Sequence, residues 1–253
     1  MLCAVGVVIT AALVAALWPF VQIYVGVRPP DQFYRALDPP LVSSVGRVLG
    51  IAHNAGNNPV TTVAALRHGA AVVEIDVIMA RGELVAGRDQ PVPRVAAALF
   101  RGYTLEQMWA LAAPADIIKL DLKQSDQSFL DDVASFLSSR QGTRPIMVSS
   151  GSPEAIRDLH RRLPKVTMLF SIGNPEAWAA LRADPSLVRA IGGVSVFQGL
   201  VDPVLVGWMH DRGLLVLAWT VNDAARLNEL VRMRVDGVTM ANLAILEALS
   251  RTS

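Results

Sequence analysis

Residues 72–89, VVEIDVIMARGELVAGRD, are the stretch of sequence that decides the fold. Its first six residues are apolar apart from Glu74 and Asp76, a composition typical of a strand that is covered on both faces, as in a parallel sheet. Residues i and i+2 of a strand share a face, so the two carboxylates point the same way. A buried strand that carries two acids on one face indicates a polar site beside a parallel sheet.

Similar apolar runs recur along the chain and alternate with helical patterns. The predicted strands span residues 48–53, 71–77, 116–122, 145–150, 166–172, 192–197, 214–221 and 237–241. Four of the helices are predicted to begin at a proline that follows a capping side chain, in the pairs Asn58-Pro59, Ser152-Pro153, Asn174-Pro175 and Asp202-Pro203.

Eight strand–helix units in about 205 residues predict an α/β fold, a (β/α)8 barrel. The alternative is a doubly wound open sheet, which usually has a glycine fingerprint after its first strand. The segment HNAGNNP that follows the first predicted strand lacks this fingerprint.

The composition narrows the class of protein. A chain of 253 residues with 52% hydrophobic residues suits one large domain. The net charge of +1 gives no indication of a nucleic-acid partner. The single cysteine, Cys3, excludes an internal disulfide framework and a cysteine-based zinc site.

The N-terminus predicts a membrane anchor. Residues 1–27 contain no charged side chain, and this run exceeds the ~20 apolar residues that cross a bilayer. A cleaved signal peptide is the alternative, but the basic segment that usually begins one is missing. We therefore expect a single-pass anchor at 1–27, a juxtamembrane linker at 28–46 and a barrel domain at 47–253. Arginines after the anchor favour a cytoplasmic barrel by the positive-inside rule, but the side of the membrane stays open.

Active sites of (β/α)8 barrels lie at the C-terminal ends of the strands. The polar residues that fall there are His53, Glu74, Asp76, Lys119, Asp121, Lys123, Ser149, Ser150, Gln198, Trp219, Thr220 and Asn222. Carboxylates brought close together repel each other, and a hard cation such as Mg²⁺ or Ca²⁺ would relieve this. The alternative is that Lys119 or Lys123 forms salt bridges with the acids and no metal binds. His53 beside the acids is a candidate general acid or base.

Several motifs resemble one family in the correct order. The segments IAHNAGNN, PVTTVAALRHGAAVVEIDV and GELVAGRD are similar to the opening of the glycerophosphodiester phosphodiesterases, a TIM-barrel family with phosphatidylinositol-phospholipase-like relatives. The resemblance continues through TLEQMW, IIKLDLK, VSSGS, AWTVN and VDGVT, and it covers about residues 48–249.

The resemblance implies roles for individual residues. His53 matches the first catalytic histidine, and Lys123 matches a lysine that holds the phosphate. The metal ligands would be Glu74, Asp76 and Asp121. Trp219 would wall the substrate pocket, and Asn54 is assigned to substrate binding at a position where the family has an arginine.

The sequence also departs from the family pattern. Arg88 stands where the family has its second catalytic histidine, and it cannot exchange a proton near neutral pH. Its guanidinium group can instead bind a phosphodiester and stabilise charge in the transition state. Ala55 replaces a glycine, Val60 replaces a glutamate, and Met240 replaces a closing aspartate.

Three hypotheses about function follow. The first is a membrane-anchored phosphodiesterase that hydrolyses glycerophosphodiesters or lipid-like phosphodiesters with metal assistance and His53 as general acid/base. The second is an inactive family member that binds phosphodiester head groups or a protein partner. The third is metal-independent cleavage in which Arg88 supplies the positive charge.

Overall fold

The structure is a computed structural model that describes residues 32–41, 48–88 and 102–251. The predicted anchor at 1–27 lies outside these ranges, as does part of the predicted linker. Within the described ranges, none of the helices has the length and apolar character needed to span a bilayer.

Eight parallel strands close into a barrel, as the sequence predicted. Their order is β1-β9-β8-β7-β6-β5-β4-β2, and the pairing of β1 with β2 closes the circle. The strands are β1 (Leu49–Ala52), β2 (Val72–Ala80), β4 (Ile117–Leu122), β5 (Ile146–Ser150), β6 (Thr167–Ile172), β7 (Gly193–Phe197), β8 (Leu215–Trp219) and β9 (Gly237–Met240).

A ninth strand, β3 (Glu83–Ala86), pairs antiparallel with the end of β2. The two are joined by Arg81 and Gly82, both with positive φ, as expected for a tight two-residue hairpin. The sequence analysis ended the second strand at Val77 and missed this hairpin. Its effect is to return the chain to the acids: the backbone N–H of Gly87 donates to the carbonyl of Asp76 at 2.9 Å.

Helices surround the barrel. They are α1 (Pro59–Arg67), α2 (Leu105–Leu111), α3 (Gln127–Ser138), α4 (Pro153–Arg162), α5 (Pro175–Ala183), α6 (Pro185–Ala190), α7 (Pro203–His210), α8 (Ala224–Arg232) and α9 (Leu243–Ser250). All four predicted cap–proline pairs begin a helix, and each capping side chain accepts from a backbone N–H in the first turn. Thr104 and Gln107 form a capping box at the start of α2.

The two largest of three hydrophobic clusters in the described residues lie on the two sides of the barrel wall. The large one lies between the sheet and the helices. The small one fills the barrel interior near the N-terminal ends of the strands, with Ile51, Val72, Met147, Leu169 and Leu217 at its centre. Each of these positions points inward, so the residue two positions later on the same strand also points inward.

Part of the predicted linker packs on the barrel. Phe33 pairs with Asn242 in a parallel bridge, and the Asn242 side chain bonds to both the N–H and the carbonyl of Arg35. Asn228 donates to the carbonyl of Pro40 at 2.9 Å. Residues 33–40 are therefore held against the end of β9, the start of α9 and the helix α8.

Glycine is required at one position in the barrel wall. A Cβ atom on Gly193 would lie 2.6 Å from the carbonyl oxygen of Leu215 on the neighbouring strand. We predict that Gly193→Ala lowers the free energy of unfolding by about 1–3 kcal/mol, the usual cost of overpacking. Gly207, on the exposed face of α7 with nothing within 4 Å, is the matched control. Gly207→Ala should stabilise by roughly 0.5–1 kcal/mol. Urea denaturation of both variants checks the difference, and equal effects would contradict it.

Candidate active site

The inward-facing residues that lie two positions after the small apolar core of the barrel are mostly polar. This mouth layer consists of His53, Glu74, Lys119, Ser149, Ser171, Ser195, Trp219 and Thr239. Seven of the eight line a cavity of about 130 Å³ at the C-terminal end of the barrel, together with Arg88, Asp121 and Lys123. Of the eight residues that the sequence analysis assigns a catalytic, substrate-binding or metal-binding role, six line this cavity, and Asp76 and Asn54 do not.

Glu74 and Lys119 form a buried ion pair at the base of this cavity. They are partners in the register of β2 and β4, so their side chains leave the sheet side by side. Lys119 is 2% exposed and Glu74 is 3% exposed. Burial alone would lower the pKa of the Lys119 ammonium group, but the carboxylates of Glu74 and Asp121 outweigh burial and raise this pKa above its ordinary value. Lys119 is thus held as a cation.

Asp76 and Asp121 are the next partners on the same face in this register, two residues further towards the C-terminal ends of the strands. Two like charges directly opposite each other would destabilise the sheet. Lys123 relieves this repulsion, because its ammonium group contacts Asp121 and lies 2.9 Å from Oδ1 of Asp76. The side chain of Lys123 is 22% exposed, so this cation reaches the cavity surface.

The pKa values of the two aspartates are shifted in opposite directions. Burial raises the pKa of Asp76, and the repulsion of Glu74 and Asp121 adds to the rise against the opposing attraction of Lys123. Burial also acts to raise the pKa of Asp121, but Lys119 and Lys123 outweigh it and lower this pKa below its ordinary value. Ser149 adds to the lowering by donating to Oδ1 of Asp121 at 2.6 Å.

Asn57 holds Asp76 from the side opposite to Lys123. Its amide donates to Oδ2 of Asp76 at 3.0 Å, and its carbonyl oxygen accepts from the backbone N–H of Asp76 at 2.8 Å. Asn57 ends the 3-10 turn Ala55–Asn57, in which a Cβ atom on Gly56 would lie 2.3 Å from Ile75. The glycine therefore allows the turn to sit against β2, and the sequence analysis missed the role of Asn57.

His53 and Arg88 are the other two polar residues of the cavity that the sequence analysis assigned to catalysis. His53 follows β1, and its backbone N–H donates to the carbonyl of Met240 at 2.8 Å. Arg88 is exposed at the rim, where the β2–β3 hairpin delivers it, and it makes no ion pair with any residue in the described part of the chain. Arg88 is one of the residues that line the cavity.

Three hydroxyl groups in the cavity were missed by the sequence analysis. They belong to Ser171, Ser195 and Thr239. The Thr239 hydroxyl is buried and has no hydrogen-bond partner among the described residues. All three lie two positions after an inward-facing residue, so strand alternation was the signal that would have found them.

Of the other residues that the sequence analysis selected, one lines the cavity and several lie in the turns and loops around it. Trp219 lines the cavity and packs against Phe197, with ring centroids 5.6 Å apart. Asn54 is buried in the turn after β1 at a φ of 52° and is not among the residues that line the cavity. Gln198 donates to the carbonyl of Thr220, and Asn222 accepts from the N–H of Ala241, so these side chains support loops.

The predicted metal site can be tested against this arrangement. Glu74 faces one ammonium group, and Asp76 and Asp121 share another. Within the described residues, no group of three His, Cys, Asp or Glu side chains is arranged to hold a metal ion. As arranged, the site does not fit a resident divalent cation. The binding of Mg²⁺ or Ca²⁺ therefore stays a prediction, and no step of the mechanism below depends on it.

Comparison with protein families gives a direct match. The model of the glycerophosphoryl diester phosphodiesterase family matches residues 88–243, which is more than half of the chain. The chain belongs to this family. The matched region begins at Arg88 and includes Asp121, Lys123 and Trp219, whereas His53, Glu74 and Asp76 precede it. No curated protein matches the chain significantly.

Several solved structures of phosphodiester-cleaving enzymes share the fold. A phosphodiesterase from Oleispira antarctica, in complex with the product sn-glycerol-3-phosphate, is 18% identical with a TM-score of 0.66, over 83% of this chain and 99% of that one. A glycerophosphodiester phosphodiesterase from Parabacteroides distasonis is 18% identical with a TM-score of 0.63, over 81% and 98%. A calcium-dependent phosphoinositol-specific phospholipase C from Pseudomonas sp. is 10% identical with a TM-score of 0.53, over 86% and 96%. At these identities the likeness shows the barrel fold alone.

The clamp between Asn57 and Asp76 generates a prediction. Asn57→Ala removes two hydrogen bonds from a buried aspartate and should lower the free energy of unfolding by about 1–3 kcal/mol. A double-mutant cycle with Asp76→Ala should show a coupling energy of roughly 0.5–3 kcal/mol, because the residues are in contact. The control cycle pairs Asp76→Ala with Asn174→Ala, which removes the cap of α5. Additive effects in both cycles would contradict the clamp.

Proposed function

We propose that this protein hydrolyses glycerophosphodiesters or related lipid-derived phosphodiesters. The observation that carries the proposal is the convergence of His53, Arg88 and Lys123 on one cavity at the C-terminal end of the barrel. A cavity of about 130 Å³ lies below the usual 300–1,000 Å³ of drug-sized pockets, so it suits a phosphodiester with short substituents. The Oleispira antarctica phosphodiesterase holds the product sn-glycerol-3-phosphate. This phosphomonoester is what hydrolysis of a glycerophosphodiester releases.

Three side chains of the cavity, those of Arg88, Lys123 and His53, would carry out the hydrolysis. Arg88 and Lys123 would bind the non-bridging phosphoryl oxygens and stabilise the negative charge that builds up on them. Water would attack phosphorus, and the bond from phosphorus to the leaving oxygen would break. His53 would act as general acid/base: it takes the proton from the attacking water and gives a proton to the leaving alkoxide. The arginine at position 88 leaves His53 without a second histidine to share these transfers.

The membrane anchor belongs to the same proposal. Residues 1–27 have the length and apolar character of a single-pass span. An anchor of this kind, joined through residues 28–46 to the barrel at 47–253, would keep the cavity near phosphodiesters derived from lipids. Apolar composition is the support for this part, and the side of the membrane is not assigned.

The second candidate is a protein that binds phosphodiesters without turning them over. The specific observation in its favour is Arg88, a permanent cation at a position where a proton-transferring group would serve hydrolysis. Binding without turnover requires Arg88 and Lys123 but not His53. Variants of His53 therefore distinguish a hydrolase from a binding protein.

His53→Ala should lower kcat for release of sn-glycerol-3-phosphate from sn-glycero-3-phosphocholine by roughly 10²–10⁴-fold, because it removes general acid/base catalysis. His160 is exposed on α4, so His160→Ala is the matched control and should leave kcat unchanged. An enzyme-coupled assay for the product measures both. Unchanged turnover in His53→Ala would sink the mechanism, and no turnover in the wild type with retained ligand binding would favour the second candidate.

Arg88→Ala should weaken binding of sn-glycerol-3-phosphate by roughly 10- to 100-fold, since hydrogen bonds to charged groups contribute about 1.5–3 kcal/mol. Arg88→Lys should lose less, because it keeps the charge but not the planar fork. Arg67→Ala, on the exposed face of α1, is the control. Titration calorimetry gives the dissociation constants, and an Arg88→Ala value equal to that of the control would refute the role of Arg88.

A further inference from the structure

We infer that the Lys119 ammonium group is the built-in cation of this site and occupies the space in which a divalent ion would otherwise bind the acids. This inference rests on the proposed function, which it deepens: the phosphodiester would be bound by side-chain cations alone.

The position of Lys119 is determined by the sheet. The residue lies in the middle of β4, directly opposite Glu74, with its side chain directed into the barrel. It is one of the largest fully buried side chains, and apolar Ile117 lies two positions before it on the same face. The side chain therefore has no path to solvent through the barrel interior, and its ammonium group stays beside the acids.

Glu74 depends on Lys119 for its counter-charge. In the described part of the chain, Lys119 is the cation that forms an ion pair with Glu74, and Glu74 is itself almost fully buried. A divalent ion bound to Glu74 would lie a few ångströms from the ammonium group, in a medium of low dielectric constant where two cations repel strongly. Binding of a metal at Glu74 would thus require the buried Lys119 ammonium group to move away from Glu74.

Lys123 and Arg88, the other two cations of the site, are more exposed to the cavity than Lys119. Lys123 is partly exposed and bridges Asp76 and Asp121, so it can contact both the acids and a ligand. Arg88 lies at the rim, and no described acid forms an ion pair with it. Three carboxylates face two buried or half-buried ammonium groups and one rim guanidinium group. The charges of the site are therefore balanced without a metal, and an anionic phosphodiester still meets Arg88 and Lys123.

Binding of Mn²⁺ to the full-length protein, followed by electron paramagnetic resonance, tests the inference. The wild type should show no stoichiometric Mn²⁺ site, whereas Lys119→Ala should bind one Mn²⁺ at least 10-fold more tightly than the wild type, because it frees the carboxylates and opens space between them. The chain has three lysines, and the third, Lys165, is exposed on the surface. Lys165→Ala is the matched control and should behave as the wild type. A stoichiometric Mn²⁺ site in the wild type of equal affinity to that in Lys119→Ala would overturn the inference.

A second measurement covers the case in which Lys119→Ala does not fold. Binding of sn-glycerol-3-phosphate to the wild type should have the same dissociation constant in excess EDTA as in Ca²⁺ or Mn²⁺. A 10-fold or greater weakening in EDTA would overturn the inference even with no variant in hand. If the wild type binds no sn-glycerol-3-phosphate under either condition, the proposed substrate class fails, and the Mn²⁺ result on the wild type alone still decides the role of Lys119.

Discussion

The ion pair between Glu74 and Lys119 is the interaction on which the mouth of this barrel depends. An inward-facing acid in the middle of a parallel sheet is tolerated only when a partner neutralises it, because removal of one partner from a buried pair leaves an uncompensated charge. The register of β2 and β4 supplies that partner directly opposite. The same register then sets Asp76 against Asp121, a repulsive pair, and so gives Lys123 its position between them. One alignment of two strands thus arranges five charged side chains.

Most of the fold was predictable because its determinants are local. Apolar runs and cap–proline pairs mark strands and helix starts within a few residues, and the eight predicted strands match those of the barrel. The cap–proline signal also stands at Asp184-Pro185, which begins α6, although the sequence analysis did not use it. The β2–β3 hairpin was missed because its Arg81-Gly82 turn lacks the Asn or Asp that usually marks such a turn.

The site was only partly predictable, since it depends on which strands are neighbours. Alternation along single strands was enough to select His53, Glu74, Asp76, Lys119, Asp121 and Lys123. It could not decide between a metal and salt bridges for the acids, because that choice depends on the pairing of Glu74 with Lys119 across two strands. The role of Asn57 could not be predicted for a similar reason. Asn57 contacts Asp76 from a turn whose path depends on the close approach of Gly56 to Ile75.

The hairpin that carries Arg88 back to the mouth has a consequence for how this sequence can vary. The path from Asp76 to Arg88 runs along two paired strands and returns through the bond between Gly87 and Asp76. A shift of one residue in such a pairing turns every side chain to the opposite face. An insertion or deletion of one residue within either strand would therefore turn the side chains that follow it to the other face. The pairing of β2 with β3 and the bond between Gly87 and Asp76 thus set the number of residues that can separate Asp76 from Arg88 in this geometry.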